Sequence, residues 1–276
     1  MKKQANILAA ALLAALLLLL FPACGHEPVT KTVLVMDTVA QLTAVDGEAG
    51  AAVDERISHL PRLDRVAGTG EESDAARLRS PGKAIDLGGI AKGYALDAVR
   101  AIYAAHGVKR GMISLGGSSR YALGKNEHGD DWRIGIRAPR GETAQDYLGI
   151  LPISDAALSS SGDYERYFEQ DGQRYHHILD PRTGAPASSG LYGVTVILRG
   201  DHAGMMSDLL TTALFVLGEE KGRALLAEAG LPATVLFISP DTTAVYRLGE
   251  ALPAGGASLR NLLQKQAGNV RWEDGE

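Results

Sequence analysis
The sequence predicts an α+β fold, in which mixed sheets carry flanking helices. Three observations lead there. Apolar periods of two and of three to four residues interleave along the chain. No internal repeat of fixed period is present. Finally, 276 residues that are 45% hydrophobic and 22% charged provide a sizeable core in an ordinary globular composition.

The elements follow in order. Thr32 to Val45 is rich in β-branched residues and reads as one strand, broken by Gly47 and Gly50. Ala51 to Leu63 reads as a helix, with Val53, Ile57 and Leu60 on one face. Ala67 to Ser80 is small and polar, a loop, and Pro81-Gly82 turns into a strand over Lys83–Leu87. Lys92 to His106 is a helix ended by Gly107. Gly111–Leu115 and Trp132–Ile136 are strand-like, separated by a Gly/Asn/Asp turn, and Leu191–Leu198 is a further strand. Helices are expected over Ala203–Leu217 and Lys221–Ala229, stopped by Gly218 and Gly230. Thr234–Ile238 and Thr243–Leu248 form a hairpin around Pro240-Asp241, and Leu259–Gln266 is an amphipathic piece in the tail.

The N-terminus carries a targeting signal. Lys2 and Lys3 precede an unbroken apolar run from Ile7 to Phe21, 15 residues long. That length is short for a bilayer span and suits an export signal. Phe21-Pro22-Ala23-Cys24 follows, and Cys24 is the only cysteine. A lone cysteine forms no internal disulfide. Either it is the acylated first residue of a mature lipoprotein, as in a bacterial lipobox, or it is incidental to an ordinary cleaved signal. The boundaries expected are a signal peptide at 1–23, a tether at 24–32 and one domain over 33–276. Loss of residues 1–23 removes two lysines and takes the formal charge from −5 to −7. With that charge and no long basic run, a nucleic-acid partner is not expected.

Three segments are candidates for chemistry. Asp86-Leu87-Gly88-Gly89-Ile90-Ala91-Lys92-Gly93 ends a strand in two glycines and opens a helix. Such a start offers unpaired N–H groups and a partial positive charge to a phosphate, and Lys92 adds a full charge. Read alone, it is equally a glycine-rich turn with a solvated lysine. Tyr175-His176-His177-Ile178-Leu179-Asp180-Pro181-Arg182-Thr183-Gly184 places two histidines on opposite sides of an extended segment, which disfavours a two-histidine metal site. One histidine is a general base or phosphate contact, or the segment is a surface turn with a packed imidazole. In Asp208-Leu209-Leu210-Thr211-Thr212, Asp208 and Thr212 share a face of an apolar helix. Buried there, the carboxylate needs a partner, and a hard cation such as Mg²⁺ is one. The other reading is an aspartate favoured by the helix dipole. Ser159-Ser160-Ser161-Gly162-Asp163-Tyr164 reads as a loop, and Gly116-Gly117-Ser118-Ser119 as a flexible turn after a strand.

Taken together and in order, these pieces resemble the ApbE family of FAD:protein FMN transferases. The shared stretches are Met36-Asp37-Thr38, DLGGIAKGYALD at 86–97, SLGG at 114–117, WRIGIRAP at 132–139, SSGDYERYF at 160–168, HILDPRTG at 177–184 and SDLLTTALFVLG at 207–218. The resemblance implies one ApbE-like catalytic domain. It implies an exported enzyme, anchored by lipid on Cys24 to the extracytoplasmic face of a membrane. There FMN would pass from FAD to a Ser/Thr hydroxyl of an acceptor protein, with AMP released. It further implies FAD against Met36, Asp86, Lys92, His177 and Ile178, and Mg²⁺ on Asp208, Thr212 and backbone oxygens near Gly89 and Thr211. His177 and Asp208 carry the catalytic roles, and the acceptors are flavoprotein subunits of exported electron-transfer systems. The alternatives are a Mg²⁺-dependent FAD pyrophosphatase giving FMN and AMP, or a weakly active flavin-binding lipoprotein.

The chain departs seriously from the family pattern in one place. Members carry a long segment, with Ser-x-x-Asn and Gly-x-Phe-Asp-Pro stretches, between the helix after the first strand and the DLGG strand. Only 22 residues separate Leu63 from Asp86 here, and neither stretch is present, so the domain is shortened between about 64 and 81. Asp37 also stands where many members have glycine, and Ser118-Ser119 where many have a polar or acidic pair.

Overall fold
The computed structural model describes residues 28–35, 38–48, 51–52, 87–143, 145–249 and 269–274. The expected export signal with Cys24, Met36, Asp86, the stretch expected to be shortened, most of the helix expected from Ala51, the loop expected at 67–80, nearly all of the strand expected from Lys83 and the expected amphipathic tail piece lie outside them.

Among the described residues, thirteen strands and three helices follow one another. The strands are β1 (Val29–Val35), β2 (Thr38–Ala44), β3 (Gly111–Leu115), β4 (Ser119–Leu123), β5 (Trp132–Arg137), β6 (Tyr147–Ile153), β7 (Ala156–Gly162), β8 (Tyr167–Gln170), β9 (Gln173–His176), β10 (Gly193–Leu198), β11 (Ala233–Ile238), β12 (Thr243–Leu248) and β13 (Val270–Asp274). The helices are α1 (Ala91–Ala105), α2 (Ala203–Leu217) and α3 (Glu219–Ala229). Nine strands form one sheet in the order β1-β2-β3-β4-β7-β10-β11-β12-β13, while β5–β6 and β8–β9 are separate hairpins. Every neighbouring pair in the large sheet is antiparallel except β12 with β13. The fold is therefore α+β with mixed sheets and flanking helices.

Both faces of the large sheet are covered, and the strand sequences follow from that. Helices α1 and α2 pack on one face, over Leu42, Ile113, Leu115, Ala157, Val194, Val196, Val235 and Phe237. The β5–β6 hairpin covers the other, where Ile134, Ile136, Leu151 and Ile153 meet Leu158, Ile197, Leu236 and Val245. Strands β10 and β11 lie between the two layers and are buried at every position, so they read as continuous apolar runs rather than alternating ones.

Several expectations are corrected. Thr32 to Val45 is not one strand: β1 and β2 pair antiparallel, with Val35 opposite Thr38. The stretch between Leu115 and Trp132 is not only a turn, because it contains β4. Gly116 and Gly117, both at positive φ (62° and 70°), let the chain reverse between paired Leu115 and Ser119, a conformation in which a side chain is strained. Ser159-Ser160-Ser161-Gly162 is not a loop but the second half of β7, in the middle of the sheet. Its polarity is accommodated because its hydroxyls bond to other hydroxyls.

Candidate active site
The turn before α1 is built by Leu87, whose carbonyl accepts the amides of Ile90 (3.0 Å) and Ala91 (2.9 Å). The helix that follows has no side-chain cap of its own and no acidic residue in its first turn. One of its free N–H groups, on Gly93, is taken instead by Asp208 Oδ2 of α2 at 2.9 Å. Helix α2 thus supplies the negative charge that the start of α1 favours.

Asp208 is 2% exposed. A carboxylate so buried is costly unless its oxygens are well matched. Besides the Gly93 amide, Oδ1 accepts from the Ser119 hydroxyl at 3.2 Å and lies 4.0 Å from Lys92 Nζ. Lys92 also reaches back to the Gly88 carbonyl at 3.3 Å. Its ammonium is therefore held over the double-glycine turn, beside the carboxylate.

The two threonines of α2 are held differently. Thr211 is fully buried; its hydroxyl receives the Ser161 proton at 2.8 Å and donates to the Asp208 carbonyl at 2.8 Å. That hydroxyl is committed inside the fold. Thr212 is half-buried, and its contacts to the Asp208 carbonyl (3.5 Å) and Ser161 (3.4 Å) are long. A Cβ built on Gly89 would stand 3.1 Å from Thr212 Oγ1, so the Gly89 backbone abuts that hydroxyl. Gly89, Lys92, Asp208 and Thr212 are thereby gathered in one place, where the oxygen donors suit a hard divalent cation. Among the described residues, no cluster of three or more His, Cys, Asp and Glu side chains is present.

The histidine pair splits as its extended backbone dictates. His176, at the end of β9, is buried edge-on against Phe215, accepts the Ile178 amide at Nδ1 (3.3 Å) and bonds the Ala187 carbonyl through Nε2 (3.1 Å). It is a structural residue. His177 faces solvent, and its Nδ1 lies 3.2 Å from the Arg166 carbonyl. A carbonyl has no hydrogen to give, so Nδ1 carries the proton and Nε2 presents its lone pair. Shielding by the surrounding protein pushes the imidazole pKa below its ordinary value, and the positive charges of Arg166 and, more weakly, Lys92 act in the same direction. Ile178 sits in the core; its amide serves His176 and its carbonyl accepts the Ala187 amide. Beyond it, Asp180 and Arg182 lock the turn through paired contacts of 2.9 and 2.6 Å, which hold the Asp180 carboxyl at about 2. Met36 and Asp86 fall outside the described residues.

Sequence reasoning missed the polar seam between α2 and the sheet. Ser119 on β4 and Ser159 on β7 are cross-strand partners; the first bonds Asp208, and the second bonds Ser207 at 2.9 Å. Ser161, two residues on, bonds Thr211. The signal was there as small residues at 157, 159 and 161, alternating at the strand period. They face Ser207, Asp208, Thr211 and Thr212, which share one face of a helix.

The profile of the ApbE family matches residues 36–235. The chain belongs to the ApbE family. Among similar proteins, the FAD:protein FMN transferase of Klebsiella pneumoniae is 37% identical over 230 residues, covering 75% of this chain and 69% of that protein. That of Vibrio cholerae is 39% identical over 241 residues, covering 79% and 70%. That of Treponema pallidum is 42% identical over 176 residues, covering 60% of this chain but only 46% of its own length. Among solved structures, the apo flavinyl transferase ApbE of Pseudomonas stutzeri superposes with a TM-score of 0.60 at 24% identity, covering 84% of this chain and 97% of that one. The ApbE protein of Thermotoga maritima gives 0.61 at 23%, covering 81% and 97%. These superpositions establish the shared fold. In this ApbE chain the matched span includes every described residue of the site, from Leu87 to Thr212.

Proposed function
We propose that the chain is an FAD:protein FMN transferase, which moves FMN from FAD onto a Ser/Thr hydroxyl of an acceptor protein in a Mg²⁺-dependent reaction. One observation carries the reading: the buried Asp208 carboxylate of α2 meets the glycine-rich start of α1 and Lys92 in one spot. Phosphoryl transfer is governed by positioning and charge neutralisation, and these groups provide both. Membership of the family and likeness to enzymes of that name support it.

Asp208, the Thr212 hydroxyl and backbone oxygens near Gly89 and Thr211 would hold the cation. When bound, Mg²⁺ neutralises diphosphate charge and polarises the phosphoryl oxygens. Lys92 and the α1 start bind and orient the FAD diphosphate, with Met36, Asp86 and the Ile178 region as further contacts to the dinucleotide. His177 Nε2 accepts the proton of the acceptor hydroxyl. The hydroxyl oxygen bonds to the FMN-side phosphorus, the phosphorus–oxygen bond to the AMP phosphate breaks, and AMP departs.

The sign of the His177 shift sets a pH prediction. A base with a lowered pKa stays unprotonated to more acid pH than ordinary imidazole. The acid limb of the transfer rate is therefore expected to have its midpoint below pH 6.5, the ordinary value. A limb centred above pH 7 that persists in His177→Gln argues against this role.

The chain is further proposed to be exported, with residues 1–23 as its signal, 24–32 as a tether and 33–276 as the transferase domain. Lipid on Cys24 would anchor it at the extracytoplasmic face of a membrane, beside acceptor subunits of exported electron-transfer systems. Cys24→Ala is expected to move the protein from the membrane to the soluble fraction on cell fractionation; unchanged partition removes the anchor from the proposal.

Incubation with FAD, Mg²⁺ and an acceptor domain, read by in-gel flavin fluorescence and AMP release, tests the activity. Fluorescence bound covalently to the acceptor supports transfer. AMP and free FMN without acceptor labelling indicate a pyrophosphatase. Flavin bound and never cleaved indicates a flavin-binding lipoprotein, an outcome that the short stretch between Leu63 and Asp86 makes worth distinguishing.

A further inference from the structure
Helices α1 and α2 each present the same short pattern: glycine, three residues, then aspartate, as Gly93–Asp97 and Gly204–Asp208. The structure pairs them crosswise. Asp208 Oδ2 accepts the Gly93 amide at 2.9 Å. Asp97 accepts the Gly204 amide at Oδ1 (2.9 Å) and the Met205 amide at Oδ2 (2.8 Å). Neither helix has a side-chain cap at its own start, so each is capped by an aspartate from the second turn of the other. The four residues form a closed frame. Its two glycine corners touch, because a Cβ on either would strike the other's carbonyl oxygen.

We propose that Asp97 is a positioning residue for the reaction, fixing helix α2 against α1 so that Asp208 is held at the double-glycine turn. This rests on the proposed role of Asp208. Asp97 does not touch the site residues Gly89, Lys92 or Thr212 in any described contact; it acts through the start of α2. That start needs it, since His202, the residue before the helix, sits at a left-handed φ of 57° and gives no cap. Arg100, one turn beyond Asp97 on α1, adds to the hold by bonding the Gly200 carbonyl (3.1 Å) and Asp201 (3.2 Å), just ahead of α2. With Asp97 removed, one of the two cross-links is lost and the carboxylate at the other is free to shift with its helix. Residues that orient metal-holding groups in this way typically change metal affinity or activity by about 10- to 100-fold.

The test uses the full chain and two variants, Asp97→Ala and Asp97→Asn. Two quantities are read. One is hydrogen exchange of the Gly93 amide in metal-free protein, which Asp97 does not contact. The other is the Mg²⁺ concentration giving half-maximal AMP release from FAD. In Asp97→Ala, Gly93 exchange is expected to quicken and the Mg²⁺ midpoint to rise, each by about 10-fold. Asp97→Asn keeps one acceptor oxygen and loses the other, and is expected to change each quantity by only about two- to threefold. A purely structural cap would lower the melting temperature and quicken exchange of buried amides throughout the protein alike, β10 and β11 included, with the Mg²⁺ midpoint unmoved. That outcome overturns the proposal, which requires Gly93 to quicken beyond those strands. Parental Gly93 exchange and Mg²⁺ midpoint in Asp97→Ala overturn the proposal, as does an asparagine variant as impaired as the alanine one. If the alanine variant does not fold, the asparagine variant decides alone: a two- to threefold change in both quantities supports the proposal, and no change overturns it. Absence of transfer by the parent protein would sink the functional reading itself. Retained transfer in Asp208→Ala would sink the role of Asp208 on which this inference rests, and inert Asp97 variants beside a dead Asp208→Ala sink only this inference.

Discussion
Replacing Asp208 with alanine is expected to lower FMN transfer by about 10³-fold, equivalent to about 4 kcal/mol of lost transition-state stabilisation. The size follows from what converges there. Asp208 is the buried carboxylate beside the α1 start, it lies 4.0 Å from Lys92, and it holds the Gly93 amide in place. Removing it leaves that amide unpaired, at about 1–3 kcal/mol, and withdraws the proposed cation holder. Asp208→Asn separates these effects, since an amide oxygen still accepts from Gly93 while the negative charge is gone. Its melting temperature is expected within a few degrees of the parent, with transfer still down by about 10²-fold or more. Parental rates in Asp208→Asn, at saturating FAD and Mg²⁺, would show that the charge has no part in the chemistry.

The contrast between α2 and β7 shows where the sequence was legible. The bounds of α2 could be read directly: apolar residues recur at helical spacing from Ala203 to Leu217, and Gly218 ends them. The chemistry of Asp208 was also readable, because a carboxylate among Leu209, Leu210, Leu214 and Phe215 demands a partner. Its partners were not readable. The Gly93 amide and the Ser119 hydroxyl lie 115 and 89 residues away in sequence, and only the fold joins them. Strand β7 failed for a related reason. Ser-Ser-Ser-Gly has the local composition of a loop, but Ser159, Ser160 and Ser161 are each satisfied by a hydroxyl of Ser207, Thr195 or Thr211. Tertiary pairing overrides local propensity here. The β1–β2 region misled in the opposite sense, since uniform β-branched content gave no sign that the strand turned back on itself.

Gly93→Ala is expected to destabilise the fold by about 3 kcal/mol and to lower the melting temperature by about 6–12 °C. A methyl at this position improves helix propensity by about 1 kcal/mol, so in isolation the change would stabilise α1. Packing decides otherwise. The added carbon would collide with the Gly204 carbonyl oxygen and come within 2.6 Å of Asp208 Cβ. The first of these is backbone, in the opening turn of α2, and cannot swing aside like the end of a side chain. The two helices must separate, which stretches the Gly93 amide from Asp208 and the Asp97 carboxylate from Gly204 and Met205 together. Loss of transfer should therefore accompany loss of stability, and the Mg²⁺ midpoint should rise in the protein that remains folded. Gly107→Ala is the matched comparison, because a Cβ there meets nothing within 4 Å; its φ of 68° makes it costly by strain alone, without moving α2. Thermal melting with Mg²⁺ titration on both variants separates the two causes. A Gly93→Ala protein as stable as its parent, with unaltered metal dependence, would mean that close backbone contact between the helices does not set the geometry of the site.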